Sequence, residues 1–371
     1  YNLPAFKNVV VEGVILGTDG RKMSKNYGNY PDPKELLQKY GGDALRLYLL
    51  GSPVMHGEDI IISEEAYRQQ VKGTVLILWN AYSFFVTYAN VDSWSKGNGI
   101  KSEDVLDKWI LSLLNRLIEE VSSDLDNFDT VGAISRLQKF ISEFSTWYIR
   151  RSRDRVGPSA KSQEDKNAFY ATTFEILITL SKLLSPIAPF ISEEIFRNLA
   201  GEESVHLELW PEEKNFDKEL ISQMELVRKI VEMGHSQRKE NNIRVRQPLS
   251  TITYSLEAKL PKDLEDLLLS ELNIKTAEYK KGKINVNLGF KITPELEAEG
   301  EARDIVRKIQ EERKKLGTKL DERVEVQIED WPKEFESEIK RRALVNSISK
   351  GKFRVIPASP VKRTSLGGPA K

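Results

Sequence analysis

Two stretches of this sequence carry side chains suited to chemistry on phosphate. In Arg21-Lys22-Met23-Ser24-Lys25-Asn26, two lysines stand three apart and Gly28 comes closely after. Lysine ammonium groups are compact cations on flexible stems. They can follow charge as a pyrophosphate leaves, and a neighbouring glycine lets backbone approach the ligand. In Trp147-Tyr148-Ile149-Arg150-Arg151-Ser152-Arg153-Asp154-Arg155, four arginines accompany one aspartate. Arginine offers a planar fork to phosphate oxygens and stacks on unpaired bases, and Trp147 and Tyr148 could add stacking surfaces. Each stretch also has a plainer reading. A short basic turn is ordinarily a solvated loop. Cations near a helix C-terminus are favoured by the dipole, and Trp147 and Tyr148 at helical spacing could be core.

The elements that must position these groups can be read from pattern. Val9 to Leu16 is apolar and rich in β-branched residues, and the turn signal Thr18-Asp19-Gly20 comes next, which predicts a strand running into a tight bend. A loop over Arg21 to Pro31 carries the lysines. Asp32-Pro33 with Glu35 reads as a helix start, Gly41-Gly42 as its end, and Asp43 as the cap of the next helix. Long helical patterns then run over Ser63 to about Asn90, Glu103 to about Asp126, Asp129 to about Val156, and Ser162 to about Leu184. Trp109, Leu113, Leu117 and Val121 recur every four residues, giving one apolar face. Pro186 and Pro189 interrupt the series, with Phe190 and Trp210 expected in the core, and a further helix spans about Ser222 to Glu240. Beyond Leu249, short segments over Ile252–Tyr254, Leu264–Leu272, Ile284–Ile292, Glu295–Leu316 and Val324–Ile328 predict a small α/β domain. Alternation in Arg244-Val245-Arg246-Gln247-Pro248-Leu249 predicts an edge strand with one charged face. No internal repeat is visible.

The fold class is therefore mainly α. The expected domains are a strand-loop-helix segment at 1–62, an α-helical bundle at 63–246, a small α/β module at 247–356, and a flexible tail at 357–371 rich in Pro, Ser, Gly and Lys.

Composition narrows the function classes. With 371 residues, 40% hydrophobic and 30% charged, the chain has a globular profile, and its longest apolar runs are too short to cross a bilayer. Its start has no secretory-signal pattern, which predicts a cytoplasmic protein with no membrane partner; it also lacks Met, a hint of truncation. Cysteine is absent, and His56, His206 and His235 lack metal-ligand spacing. No zinc and no protein-bound metal site are expected. Lys plus Arg equal Asp plus Glu at 56 each, so a polyanion must be held by local patches and not by a general positive field.

Lys22-Met23-Ser24-Lys25 resembles the second, lysine-rich signature of class I aminoacyl-tRNA synthetases. Gly28-Asn29, Asp32-Pro33 and Tyr40-Gly41-Gly42-Asp43-Ala44-Leu45-Arg46 are similar to the residues C-terminal to that signature in the isoleucine, valine and leucine enzymes. Asn26 departs from the usual final serine. The run from Trp147 to Arg153 resembles isoleucyl-tRNA synthetases more closely than the paralogues. Leu78-Trp79-Asn80, the break at Leu184 to Phe190, and Ser204 to Pro211 resemble bundle landmarks shared by all three. Arg244 to Leu249 and the stretch Arg303 to Lys315 are again similar to the isoleucine enzymes. The likeness spans about Val10 to about Ile328 with its segments in order.

The resemblance implies the C-terminal half of an isoleucyl-tRNA synthetase, which activates isoleucine with ATP and magnesium and charges isoleucine tRNA. It implies ATP binding by Lys22, Met23, Ser24 and Lys25, with Lys25 and Lys22 as catalytic residues on the triphosphate. It implies tRNA binding by Trp147, Arg150, Arg151, Arg153 and Arg155. The first active-site signature and the editing domain of such enzymes are absent from these residues, so the fragment alone is expected to be inactive, and a monomer. A valyl or leucyl paralogue, or a non-catalytic tRNA-binding module, are the alternative readings.

Overall fold

The computed structural model describes residues 4–97 and 102–357, and it is mainly helical. It divides into two compact units, one of residues up to 155 together with 162–218, the other of 156–161 together with residues from 219 on.

The first unit opens with β1 (Ile15–Leu16), which pairs in parallel with β2 (Ile60–Ile61). The strand predicted from Val9 is thus confined to its last two residues; Val9, Val10 and Val11 are exposed and lie outside the ladder. Helix α1 (Pro33–Tyr40) starts as its sequence dictates: the Asp32 carboxylate accepts from the Lys34 amide at 2.8 Å, Pro33 occupies the first position, and Gly41 at φ 81° ends it. Helix α2 (Gly42–Leu50) comes next, but Asp43 does not cap it. The cap position is Gly41, and the Asp43 carboxylate instead accepts from the amides of Phe190 and Ile191, at 3.1 and 2.7 Å, at the start of helix α8 (Pro189–Ala200). Arg46 reinforces the same join by donating to the carbonyls of Pro186 and Ile187. A capping signal read locally therefore serves a helix some 147 residues away.

The bundle is built from α3 (Glu64–Gln70) and α4 (Leu76–Val91), α5 (Val105–Asp126), α6 (Thr130–Glu143), α7 (Gln163–Leu184) and α8. Side-chain caps from Ser63, Asp104, Asp129 and Ser162 start α3, α5, α6 and α7. Trp109, Leu113, Leu117 and Val121 are all buried, as their spacing predicts. Two of the predicted helices are not uniform. A π turn at Val71–Val75 joins α3 to α4, and another at Phe144–Ile149 extends α6 before a 3-10 turn at Arg153–Arg155. The first of these turns is tied to α6, since the Gln138 amide donates to Gln70 Oε1 at 2.7 Å and Thr74 Oγ1 at 3.0 Å. Phe190 and Trp210 are not core. Phe190 is 68% exposed and Trp210 39%, the latter held by its indole N–H to Ser122 Oγ.

The second unit contains α9 (Lys218–Glu240) from Glu219 on, and then two three-stranded sheets. In the first, β3 (Leu249–Leu256) pairs in parallel with β4 (Ile274–Lys281) and antiparallel with β5 (Asn285–Leu288), with α10 (Lys262–Leu272) between β3 and β4. Helix α11 (Pro294–Leu316) leads to the second, where β6 (Val324–Ile328) pairs in parallel with β7 (Val345–Lys350) and antiparallel with β8 (Arg354–Pro357), with α12 (Glu336–Ala343) inserted. The edge strand predicted over Arg244 to Leu249 is a turn, closed by Gln247 N–H to the Arg244 carbonyl, and the strand starts only at Leu249. Pro248 cannot donate to a ladder.

The two sheets and their leading helices are copies of one plan, helix-β-α-β-β, contrary to the expectation of no internal repeat. Near the end of each long helix lies a buried arginine. Arg238 donates to the carbonyls of Arg244 and Gln247, six and nine residues on, and Arg313 to those of Lys319 and Glu322, six and nine residues on. Left-handed Asn242 and Gly317 end the two helices at matching positions. The amides of Leu249 and Val324 bond the carbonyls of Asn273 and Leu344, both left-handed helix ends. Gly282 and Gly351, each in a Lys-Gly-Lys triplet, bond the carbonyls of Leu256 and Ile328 at the ends of the central strands. Burial lowers the pKa of both arginines, that of Arg238 to about 10 with the nearby charge of Arg303 adding, so Arg238 remains a cation at neutral pH.

Candidate active-site loop and nucleic-acid interface

The lysine loop hangs between β1 and α1. Gly20 at φ 77° turns the chain, the Gly17 amide bonds the Arg21 carbonyl, and Lys22 pairs its backbone antiparallel with Leu16. In a second turn, the amides of Tyr27 and Gly28 reach the Ser24 carbonyl and the Asn26 amide approaches Ser24 Oγ. Gly28 at φ 56° takes a conformation that other residues adopt only with strain. Lys22 and Lys25 are exposed, and Met23 and Ser24 half-buried.

One side chain ties both turns together. Asn29 is buried; its Nδ2 donates to Asp19 Oδ1 at 2.8 Å and to the Lys22 carbonyl at 3.3 Å, and its Oδ1 accepts from the Ser24 amide at 3.0 Å. Its backbone carbonyl accepts from the Thr18 amide. Gly17 packs so tightly on it that a Cβ there would stand 2.4 Å from its amide nitrogen. Asp19 also accepts from the Arg21 amide and guanidinium, and the Arg21 guanidinium lies 4.6 Å from the Tyr27 ring centroid. The Asn29 hydrogen bond, and after it those from Arg21, lower the Asp19 carboxyl to about 2. In the sequence Asn29 reads only as a landmark and Asp19 as a turn residue; their role as a clasp comes from contacts that spacing alone does not reveal.

The arginine strip divides by face. Arg150 and Arg153 are exposed, with Arg151 half-buried between them; the Arg150 guanidinium lies 5.9 Å from the half-buried Trp147 ring, and that of Arg153 lies 5.9 Å from Phe84. Tyr148 is fully buried in a stack running Phe140, Phe144, Tyr148, Phe169, so it is no platform for a base. Its hydroxyl donates to Asp107 Oδ1 at 2.7 Å. Arg155 turns inward, its fork filled within the fold. Nη1 and Nη2 grip the two oxygens of Asp107, each at 2.7 Å, and Nε donates to Asp165 Oδ1 at 2.9 Å, with Asp104 at 3.6 Å. Burial opposes its charge, but bonding to Asp107 and the surrounding negative groups reverse that and raise its pKa. Burial raises Asp104 and, most strongly, Tyr148.

In the second unit, a groove of about 1160 Å³ runs along α11, lined by Arg244, Gln247, Glu301, Asp304, Lys308 and Phe353 among others. None of the candidate residues of the sequence lies in it. Among the described residues, no group of three or more His, Asp or Glu side chains could hold a metal ion, and no helix is long and apolar enough to cross a membrane.

Residues 2–62, which include the lysine loop, match the tRNA synthetases of class I (I, L, M and V), and residues 107–253, which include the arginine strip, match the anticodon-binding domain of tRNA ligase. The isoleucine–tRNA ligase of Protochlamydia amoebophila is 40% identical over 75% of this chain and 28% of its own length. That of Dehalococcoides mccartyi is 35% identical over 95% of this chain and 38% of its own length. The chain belongs to the isoleucine–tRNA ligase family of class I tRNA synthetases. It spans roughly a third of the length of the curated relatives it matches. A solved ternary complex of a LeuRS from Agrobacterium radiobacter K84, with tRNA and LeuAMS, aligns with TM-score 0.43 and 19% identity over 76% of this chain and 32% of that one, too slight a likeness to bear on the fold.

Proposed function

We propose that this chain serves an isoleucine–tRNA ligase, in which Lys25, assisted by Lys22, holds the triphosphate of ATP while the isoleucine carboxylate attacks the α-phosphate. The observation that carries the reading is the lysine loop itself: two exposed ammonium groups on a turn clasped by Asn29, within the part matched by class I synthetases. Attack at phosphorus is an in-line displacement that spreads negative charge over the polyphosphate, so positioned cations and orientation supply most of what a protein can add. Met23 and Ser24 shape the turn against the nucleotide, and magnesium arrives with ATP as substrate. The aminoacyl group then passes to isoleucine tRNA, gripped along the exposed side of the strip by Trp147, Arg150, Arg151 and Arg153. Arg155 contributes from beneath. The remainder of the adenylating site is supplied by residues outside this chain, and the enzyme works as a cytoplasmic monomer.

Isoleucine-dependent exchange between ATP and pyrophosphate tests this. The full-length ligase is expected to exchange and the 371-residue chain alone to stay at background, while still binding isoleucine tRNA. Exchange supported by valine or leucine in preference to isoleucine would reassign the enzyme to a paralogue. Binding no tighter to isoleucine tRNA than to an unrelated RNA of equal length would remove the proposed grip.

A further inference from the structure

The segment that carries the exposed arginines is rooted at three points on its other side. Tyr148, Ser152 and Arg155 succeed one another at helical spacing and turn inward: Tyr148 and Ser152 are fully buried, and Arg155 is 10% exposed. Tyr148 and Arg155 both bond the same carboxylate, that of Asp107, itself fully buried near the start of α5. Ser152 lies between them, its amide bonded to the Tyr148 carbonyl and its hydroxyl 3.4 Å from Arg155 Nη1. Asp165, in the first turn of α7, takes Arg155 Nε, and Ser102 donates its hydroxyl to Asp107.

We infer that Arg155, through Asp107, is a positioning residue for RNA binding: it meets no phosphate, and it fixes the segment from Trp147 to Asp154 so that Arg150, Arg151 and Arg153 present their guanidinium groups as one array. The inference rests on the reading of that strip as the tRNA-facing surface. Phosphate could reach Arg155 only by taking it from Asp107, and a fully buried carboxylate left without its counter-charge costs more than a solvent-exposed phosphate contact returns. Continuity of the anchor matters because the π turn at Phe144–Ile149 disturbs the regular hydrogen-bond ladder where the strip begins. Local helix geometry is therefore a weak guide for the arginines, and the Asp107 grip supplies the missing constraint.

The test measures binding of isoleucine tRNA by the full chain as a function of salt. Removing a phosphate contact flattens the dependence of log affinity on log salt by about one unit, whereas loosening the array leaves the contacts of the complex in place and adds the cost of ordering it, which lowers affinity by about tenfold at each salt concentration. Arg150→Ala is expected to flatten the slope. Arg155→Lys and Asp107→Asn are expected to shift the line down in parallel, with circular dichroism showing folded protein. Adding Arg150→Ala to Asp107→Asn should flatten the slope by as much as Arg150→Ala does alone, because the contact is still made in the complex. Tyr148→Phe keeps the ring stack and every charge pair and should shift the line down by about threefold, a loss on the scale of one hydrogen bond. A flattened slope for Arg155→Lys overturns the inference, as does wild-type affinity in folded Arg155→Lys and Asp107→Asn. If both of those fail to fold, unchanged binding by Tyr148→Phe overturns it. An Arg150→Ala protein with unaltered affinity and slope would sink the tRNA-facing reading beneath it instead.

Discussion

The lysine loop and the arginine strip both hold out cations, but they are mounted in opposite ways. The loop hangs on a clasp near the surface, one buried amide at Asn29 joined to an accessible carboxylate at Asp19 and to backbone, with no charge buried in its support. The strip is fixed from below by an ion network in which one carboxylate is wholly removed from water. Hydrogen bonds at a surface, even those to an accessible carboxylate such as Asp19, are each worth little and can be exchanged for water, so a loop held by them can rearrange. A buried ion pair cannot be opened without leaving a charge stranded, so a surface resting on it keeps one shape. On the roles proposed above, the contrast suits a part that must follow a reaction and a part that must present a fixed pattern.

The largest effect that would sharpen the contrast is on stability. Arg155→Ala leaves Asp107 buried and uncompensated and is expected to cost about 3–5 kcal/mol, read as a lower midpoint in urea or thermal unfolding. Loss of under about 1 kcal/mol, the range of exposed pairs, would mean that water reaches Asp107 and that the two mountings are alike. Next is Lys25→Ala in the full-length ligase, where removing a cation from the developing charge should slow isoleucine-dependent pyrophosphate exchange by about 10²- to 10³-fold, with tRNA affinity and melting temperature unchanged. An exchange rate near wild type would take the chemistry away from this loop. Smaller again is Asn29→Ala, expected to reduce exchange by about tenfold through misplaced lysines while leaving tRNA binding as it was. A large drop in melting temperature there would show that the clasp is structural core and not a local fastening.

Both mountings were only partly legible in the sequence. The cations themselves, the helix-starting residues Asp32 and Ser162, and the buried face of α5 all announce themselves through type and period, because local physics alone selects them. Arg155 did not separate from its neighbours, since its partners Asp104, Asp107 and Asp165 lie on other helices and its sequence context is the same as that of Arg153. Asp43 misled for the same reason: a capping residue was present, but the helix it caps begins at Pro189. Phe190 shows the converse. Its apolar side chain suggests core, but it occupies an outward position in the first turn of α8, where its ring lies against Gly42 and remains mostly in water. The repeat in the second unit escaped because its two copies share a hydrogen-bond plan more than a sequence. Arg238 and Arg313 and the Lys-Gly-Lys triplets recur where backbone groups must be satisfied, while the residues between them differ from one half to the other.

The smallest effect concerns the clasp alone. Asp19 has its pKa lowered from 3.8 to about 2 by the Asn29 amide and then by Arg21, so the folded loop favours the carboxylate. A depressed carboxyl pKa gives a stabilising contribution that is fully present above the unfolded value of 3.8 and is lost as pH falls through the folded value near 2. The lysine loop should therefore keep its shape down to about pH 4 and loosen only below it. Carbon-detected NMR of the Asp19 carboxyl, monitored with the Asn29 side-chain amide, is expected to show one coupled transition centred near 2 and shifted upward in Asn29→Ala. Titration of Asp19 near its unperturbed 3.8 in the wild-type chain would mean that the Asn29 bond is not held in solution, and the loop would then rest on its two turns alone.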